Sequence, residues 1–210
     1  MSSSENISRP ESLSSSGQAS LVRTLIFSVL TLAGAGLLLY AWFQPWWVAF
    51  IEELQQNGVV IYPHAMIISG TLRDYPQWIV GAEFPGWFWR LMWVYMVACV
   101  AALVLSLFLG GERLNLGKWN VSWSQVLIGL AGLAYVVFVV VFPIAIAIRA
   151  PEFHGVPLQG NVFISMDEHT ESYVITSLQT GYWIACFVGP FLVALALLRN
   201  KIVGNPALDT

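Results

Sequence analysis

The chain has 210 residues, of which 57% are hydrophobic and 10% charged, and its formal net charge is −3. So little polar surface cannot cover a soluble globule of this size, and the composition therefore favours an integral membrane protein. The slightly acidic balance and the lack of any nucleic-acid-reading motif exclude nucleic acid as the expected partner.

The chain begins with a Ser-rich segment, residues 1–22, that has few large apolar side chains. Such a composition predicts a disordered tail, because it cannot bury enough apolar surface to offset the entropy of ordering. The segment has neither the basic start nor the small-residue cleavage site of a secretory signal, so we expect the first span to be an uncleaved signal anchor.

Four long apolar runs follow, at residues 24–42, 88–109, 126–148 and 182–198. Each is long enough, as a helix, to cross a hydrocarbon core of about 30 Å. The runs contain no Asp, Glu, Lys or His, and Arg90 near one end is their only Arg. We therefore predict an all-α membrane protein, a four-transmembrane-helix bundle over residues 23–201, with neither a proton path nor a bis-histidine haem inside it.

Small residues predict where these helices approach closely, because association in lipid depends on van der Waals fit. The positions predicted to form these contacts lie in the first, third and fourth runs: Ala33, Gly34, Ala35, Gly36, Gly129, Ala131, Gly132, Ala134, Ala185, Cys186 and Gly189. Pro143 and Pro190 lie inside the third and fourth runs, where each removes a backbone donor and is expected to kink its helix.

The distribution of Lys and Arg predicts the orientation. The N-terminal tail, the second loop and the C-terminal end with its tail at 202–210 share one side and carry six Lys or Arg residues, against three on the other side. The positive-inside rule then places both termini in the cytoplasm, with the chain in the plasma or cytoplasmic membrane. Eight of the twelve acidic residues lie in the two outer loops, so the outer face is acidic.

The outer loops, residues 43–87 and 149–181, carry patterns of their own. In the first loop AFIEELQQN at 49–57 has helical character and stops at Gly58, and the VVIY and AMIIS segments are short strand-like runs. In the other loop NVFIS at 161–165 resembles a strand. We predict a small extracytoplasmic α/β cap over the bundle, made of a short helix followed by a hairpin, or of an extended segment.

Tryptophan is concentrated around the outer ends of the spans, where an indole has its apolar body in lipid and its N–H in water. Six of these residues are predicted to contact a partner or lipid: Trp46, Trp47, Trp78, Trp87, Trp89 and Trp93. Two interpretations are open. The rings form a collar that holds the cap against the membrane, or they dock a partner subunit, a lipid or a pigment.

One acidic segment contains candidate metal ligands. In extended backbone Asp167, His169 and Glu171 point to the same side. Oxygen and imidazole ligands of this kind could hold a metal ion such as copper, although an acidic turn exposed to water explains the same residues. The sequence contains no P-loop, GxSxG or HExxH motif, so no catalytic residue and no cofactor other than this metal ion is predicted.

The order of features resembles the claudin-like tetraspan pattern. A first span ending in Trp42 precedes a long outer loop with β character, a very short inner loop, a shorter outer loop, and Gly181-Tyr182 at the start of the last span. The resemblance covers residues 23–201 and is one of topology, since Pro45-Trp46-Trp47 replaces the family's Gly-Leu-Trp and neither outer loop has a cysteine. It implies an adhesion or membrane-organising role.

These observations favour a non-catalytic structural or accessory subunit of a larger integral membrane complex. Such a subunit would contact membrane lipids and other integral membrane subunits through its helices and through the Trp-rich acidic cap. The claudin-like adhesion or membrane-organising tetraspan is one alternative. A metal-binding component of a membrane-bound oxidoreductase, or a small transporter, is the other.

Overall fold

The computed structural model describes residues 12–73, 84–109, 113–116, 119–149, 155–167 and 170–203. Within these residues the helices and strands follow one another in this order: α1 (Ser12–Phe43), β1 (Trp47–Ile51), β2 (Gln56–Tyr62), β3 (Ala65–Ile68), α2 (Gly70–Arg73), α3 (Gly86–Phe108), β4 (Arg113–Leu116), β5 (Trp119–Ser122), α4 (Trp123–Arg149), β6 (Gly160–Asp167), β7 (Thr170–Leu178) and α5 (Thr180–Val203).

The four predicted apolar runs are helices, each long and apolar enough to cross a membrane. The qualifying stretches are Leu21–Phe43, Gly86–Phe108, Trp123–Arg149 and Thr180–Val203, with mean hydropathies from 2.0 to 2.7. Helix α1 begins earlier than this, at Ser12, so its first residues occupy part of the segment predicted to be a disordered tail. Extending a helix that is already nucleated adds one hydrogen bond for each residue fixed, which allows a Ser-rich segment to continue it.

Helix α5 lies at the centre of the bundle and packs most extensively against α4 and α1, whereas α3 packs against α4 and, to a smaller extent, α1. The predicted small residues allow this close packing at Gly132 and Gly189. A Cβ atom added at Gly132 would lie 2.9 Å from the backbone nitrogen of Val193, and one added at Gly189 would lie 3.0 Å from that of Val136. The prediction is wrong at Gly36, where a Cβ would meet no described atom within 4 Å.

The cap is a five-stranded antiparallel sheet in the order β3-β2-β1-β7-β6. Three strands come from the first outer loop and two from the other, and the loops meet where β1 pairs with β7, from Trp47 opposite Leu178 to Ile51 opposite Val174. The predicted hairpin is confirmed by β2 and β3, and the predicted NVFIS strand lies within β6.

The helix predicted over 49–57 is wrong. Strand β1 runs to Ile51, a turn with Gln55 at φ 49° follows, and β2 begins at Gln56. Ala49 and Ile51 are buried in the hydrophobic core of the sheet. Burial in a paired sheet outweighs the modest intrinsic helix preference of a short Glu-rich and Gln-rich stretch.

The sheet has its own hydrophobic core on the face directed towards the helices. Trp47, Val59, Ile61 and Val174 lie in it together with Ile146 near the end of α4. At the other end of the bundle the short connection between α3 and α4 contains the paired strands β4 and β5. The structure thus places one sheet over one end of a four-helix bundle.

Candidate partner and lipid interface

Trp46 connects the cap to the bundle. Its ring is fully buried, and its Nε1 donates a hydrogen bond of 2.9 Å to the carbonyl oxygen of Ala41 in α1. The ring centroids of three bundle aromatics lie close by: Phe138 at 5.3 Å, Phe142 at 4.8 Å and Tyr182 at 5.7 Å. One indole therefore joins the end of α1 to α4 and α5.

Trp47, the next residue, points to the opposite side of its strand and into the sheet core. It is 2% exposed, and its Nε1 donates a hydrogen bond of 2.7 Å to the carbonyl oxygen of Leu158. The sequence assigns both Trp46 and Trp47 to partner or lipid contact. In the folded chain both rings contact the chain itself, which leaves almost no surface of either for a partner.

The other predicted contact residues lie on α3 or outside the described residues. Trp87 is 63% exposed and Trp93 is 40% exposed, and both lie on the outer surface of α3, whereas Trp89 is half-buried. Trp78 lies outside the described residues. Among the described members of the set, Trp87 and Trp93 therefore have the most surface left for lipid or a partner.

His64, in the turn between β2 and β3, lies among aromatic rings. Its centroid is within 6.1 Å of the ring centroids of Trp42, Phe43, Tyr62 and Trp93. The Nδ1 atom is 3.2 Å from the carbonyl oxygen of Trp42, one of the last carbonyls of α1, which the helix itself leaves without a partner. Burial lowers the pKa of His64, although this contact with the Trp42 carbonyl partly opposes the shift.

A second apolar surface lies on the face of the sheet opposite its core. Three cross-strand pairs form it and together they span all five strands: Val60 with Ile67, Phe50 with Ile175, and Phe163 with Tyr173. We call these six residues the outer sheet face. Phe163 is 70% exposed, Ile67 53% and Ile175 41%. An exposed apolar surface of this kind typically marks a site of interaction.

Two acidic side chains, Glu171 and Glu53, lie at one end of the sheet. Glu171 is exposed and two residues before Tyr173 on the same side of β7. Glu53, in the turn after β1, accepts hydrogen bonds from the hydroxyl of Ser172 and the backbone amide of Tyr173. The bond from Ser172 lowers the pKa of the Glu53 carboxyl, and desolvation partly opposes that shift. This end of the sheet is therefore negatively charged, with Glu171 on the side of the outer sheet face.

The candidate metal ligands are only partly described. Glu171 is exposed on β7, Asp167 is the last residue of β6, and His169 and the Asp167 side chain lie outside the described part of the chain. Among the side chains that are described, no group of three or more His, Cys, Asp or Glu residues could hold a metal ion. The predicted metal site remains a prediction.

The outer sheet face is the surface that sequence reasoning missed. Alternation within NVFIS separates Phe163 from the inward-facing Val162 and Ile164, but it does not say which set faces a core. The useful signal was that VVIY and the residues around Phe50 are apolar at consecutive positions. Consecutive apolar positions predict a strand with two apolar faces, only one of which a single core can cover.

Comparison of the chain with protein-family models, curated proteins and solved structures yields no match.

Proposed function

We propose that this chain is a non-catalytic accessory subunit of a larger integral membrane complex, anchored by its four apolar helices and bound to its partner through the outer sheet face. The observation that carries the proposal is the exposure of Phe163, which is 70% exposed in the cap and pairs with Tyr173 on the neighbouring strand. An aromatic ring left in water costs free energy that a partner surface recovers by covering it.

The chemistry of the outer sheet face indicates which kind of partner surface would bind it. Its centre is apolar and its border carries Glu171, so a complementary surface has an apolar centre and a basic side chain at its edge. The partner is another integral membrane subunit whose outer part reaches the cap. In this proposal both termini lie in the cytoplasm and the sheet lies outside the plasma or cytoplasmic membrane.

Helix α3 supplies a second contact with the surroundings. It is less embedded in the bundle than α5, and Trp87, Trp93, Val94 and Val97 are all at least 40% exposed. In the proposed membrane placement these side chains contact lipid or a transmembrane helix of the partner. Because Trp93 also contacts His64, α3 joins this membrane surface to the cap.

The sheet favours a second candidate, a membrane-organising tetraspan in which the outer sheet face binds another copy of the same chain. The supporting observation is that strands from both outer loops form one sheet over a four-helix bundle, which agrees with the β character on which the resemblance to claudin-like tetraspans rests. The two candidates differ in the identity of the bound chain.

Native mass measurement of the tagged full-length chain, extracted from its source membrane in a mild detergent, tests the proposal. We expect an assembly of defined mass that contains at least one other membrane protein in fixed ratio. The Phe163→Ala substitution is expected to dissociate this assembly. The matched control Phe187→Ala removes a ring that is 76% exposed on α5 and is expected to leave it intact.

Two results would contradict the accessory-subunit proposal. A monodisperse monomer would show that no stable complex forms. An assembly equally stable with Ala at position 163 would show that the outer sheet face does not hold it. An assembly containing only copies of this chain, dissociated by Phe163→Ala, would favour the second candidate.

A further inference from the structure

An apolar cavity of about 130 Å³ lies between α3, α4 and the end of β2. Its walls include Phe88 and Met92 from α3, Val141 and Ala145 from α4, and Tyr62 from the sheet, and the wall atoms that face it are all apolar. Apolar cavities of about 150 Å³ stay free of water and bind benzene-sized ligands. Water is therefore a poor occupant, and a hydrocarbon group is a good one.

The cavity opens towards the outside of the bundle. Val141, on its wall, is 50% exposed, and Trp89 and Phe84 on the opposite wall are half-buried. In the membrane placement proposed above, this opening lies between two helices that face lipid. Acyl chains are the hydrocarbon present there at the highest concentration.

Positive charge lies beside the cavity. The guanidinium carbon of Arg149 is 5.5 Å from the ring centroid of Phe84, one of the wall residues, and Ala145 lies one turn before Arg149 on α4. A guanidinium has five N–H donors in a geometry that suits phosphate oxygens, so it can bind phosphate in addition to the contacts it makes within the chain.

We propose that the cavity binds the upper part of one acyl chain of an anionic phospholipid, with the lipid phosphate at Arg149. The distance of about one helical turn between Ala145 and Arg149 corresponds to the short separation between a phosphate and the first part of an acyl chain. The inference rests on the proposed membrane placement of the helices and does not depend on the partner that binds the outer sheet face.

Photo-crosslinking in vesicles tests the inference. The full-length chain is reconstituted into phosphatidylcholine vesicles containing phosphatidylglycerol with a diazirine in the upper half of one acyl chain, and crosslinked residues are identified by peptide mass analysis. We expect crosslinks at Phe88, Met92 and Val141 several-fold above those at Val94 and Val97, which are exposed on α3 outside the cavity. Equal labelling of both sets would overturn the proposal.

Variants of two alanines on α4 separate binding in the cavity from general contact with lipid. The Ala145→Leu substitution places three additional carbons in the cavity and is expected to reduce the cavity crosslinks several-fold. The matched control Ala147→Leu alters an exposed residue outside the cavity and is expected to leave them unchanged. The smaller change Ala145→Val is tested beside them, and circular dichroism checks that each variant is folded. Undiminished crosslinks in both folded Ala145 variants would overturn the proposal.

A second probe tests the headgroup. Phosphatidylcholine with the same diazirine-bearing chain is expected to label the cavity several-fold less than phosphatidylglycerol, and Arg149→Gln is expected to remove this difference. Equal labelling by both probes in the unmodified chain would overturn the assignment to an anionic lipid. Absence of labelling at Val94 and Val97 would instead show that α3 lies outside the bilayer, and would overturn the membrane placement together with this inference.

Discussion

The carboxylate of Glu53 accepts a hydrogen bond from the backbone amide of Tyr173, with 2.9 Å between Oε1 and the nitrogen atom. The backbone amide of Glu52 in turn donates a bond of 2.9 Å to the carbonyl oxygen of Tyr173. These bonds attach the turn after β1 to β7, and so connect the two outer loops at the end of the outer sheet face.

Removing the charge of Glu53 is expected to destabilise the sheet in a pH-dependent way. The pKa of this carboxyl is below its ordinary value of 4.5, so its stabilising contribution is present at neutral pH and is lost as the pH falls through the lowered pKa. Glu53→Gln should lower the melting temperature at pH 7, and the difference from the unmodified chain should shrink as the pH falls below 4.5 and disappear once the pH is below the lowered pKa. Glu52→Gln, an exposed neighbour, is the control and should change little.

Replacing Trp46 is expected to destabilise the chain by weakening the attachment of the cap to the bundle. The change Trp46→Ala removes a fully buried indole and should cost about 3–5 kcal/mol of unfolding free energy. Trp46→Phe keeps an aromatic ring but loses the hydrogen bond to Ala41, and should cost less. Denaturant unfolding in detergent micelles measures both. Trp87→Ala, at a ring that is 63% exposed, should change stability by no more than about 0.5 kcal/mol.

The packing of α4 on α5 depends on Gly132. A methyl group there would lie 2.9 Å from Leu192 Cβ and 3.1 Å from the carbonyl oxygen of Gly189, so the two backbones would have to separate. Gly132→Ala should therefore cost about 1–3 kcal/mol. Gly36→Ala adds the same methyl group where no described atom lies within 4 Å, and should be neutral or stabilising by up to about 1 kcal/mol because Ala favours helix. Equal effects of the two substitutions would contradict this account.

His64 is expected to make the junction between cap and bundle sensitive to mild acid. Its pKa in the folded chain is below the ordinary 6.5, so the unfolded chain binds the proton more readily, and stability falls as the pH is lowered below 6.5. The melting temperature should drop between pH 7.5 and 5.5, and His64→Phe should reduce this drop. If the melting temperature drops equally in the unmodified chain and in the His64→Phe variant, titratable groups other than His64 cause the drop.

The helices could be predicted from the sequence because the signal for each is local. An uninterrupted apolar run of sufficient length indicates a spanning helix without reference to any other part of the chain, and all four runs are helices. The β2–β3 hairpin and the strand containing Phe163 could also be predicted, since short strand patterns and turns are local.

The candidate interface could not be predicted in the same way. Trp46 and Trp47 have the same side chain at adjacent positions, and their surroundings depend on contacts with α4, α5 and Leu158, which are distant in the sequence. The helix expected over 49–57 became two strands because β7, more than 110 residues later, pairs with β1. Local preferences of about 1 kcal/mol are overridden when a distant strand buries the same residues.

The sequence alone therefore determined that four helices can cross a membrane and that the loops at one end contain strands. Only the tertiary structure decided which aromatic residues are buried inside the chain and which, such as Phe163, remain on its surface. The physical reason is that hydrophobicity is a property of each residue and can be summed along a run, whereas a residue is buried only when a second surface packs against it. Among the described residues no second surface covers the outer sheet face, and in the proposed function a partner supplies it.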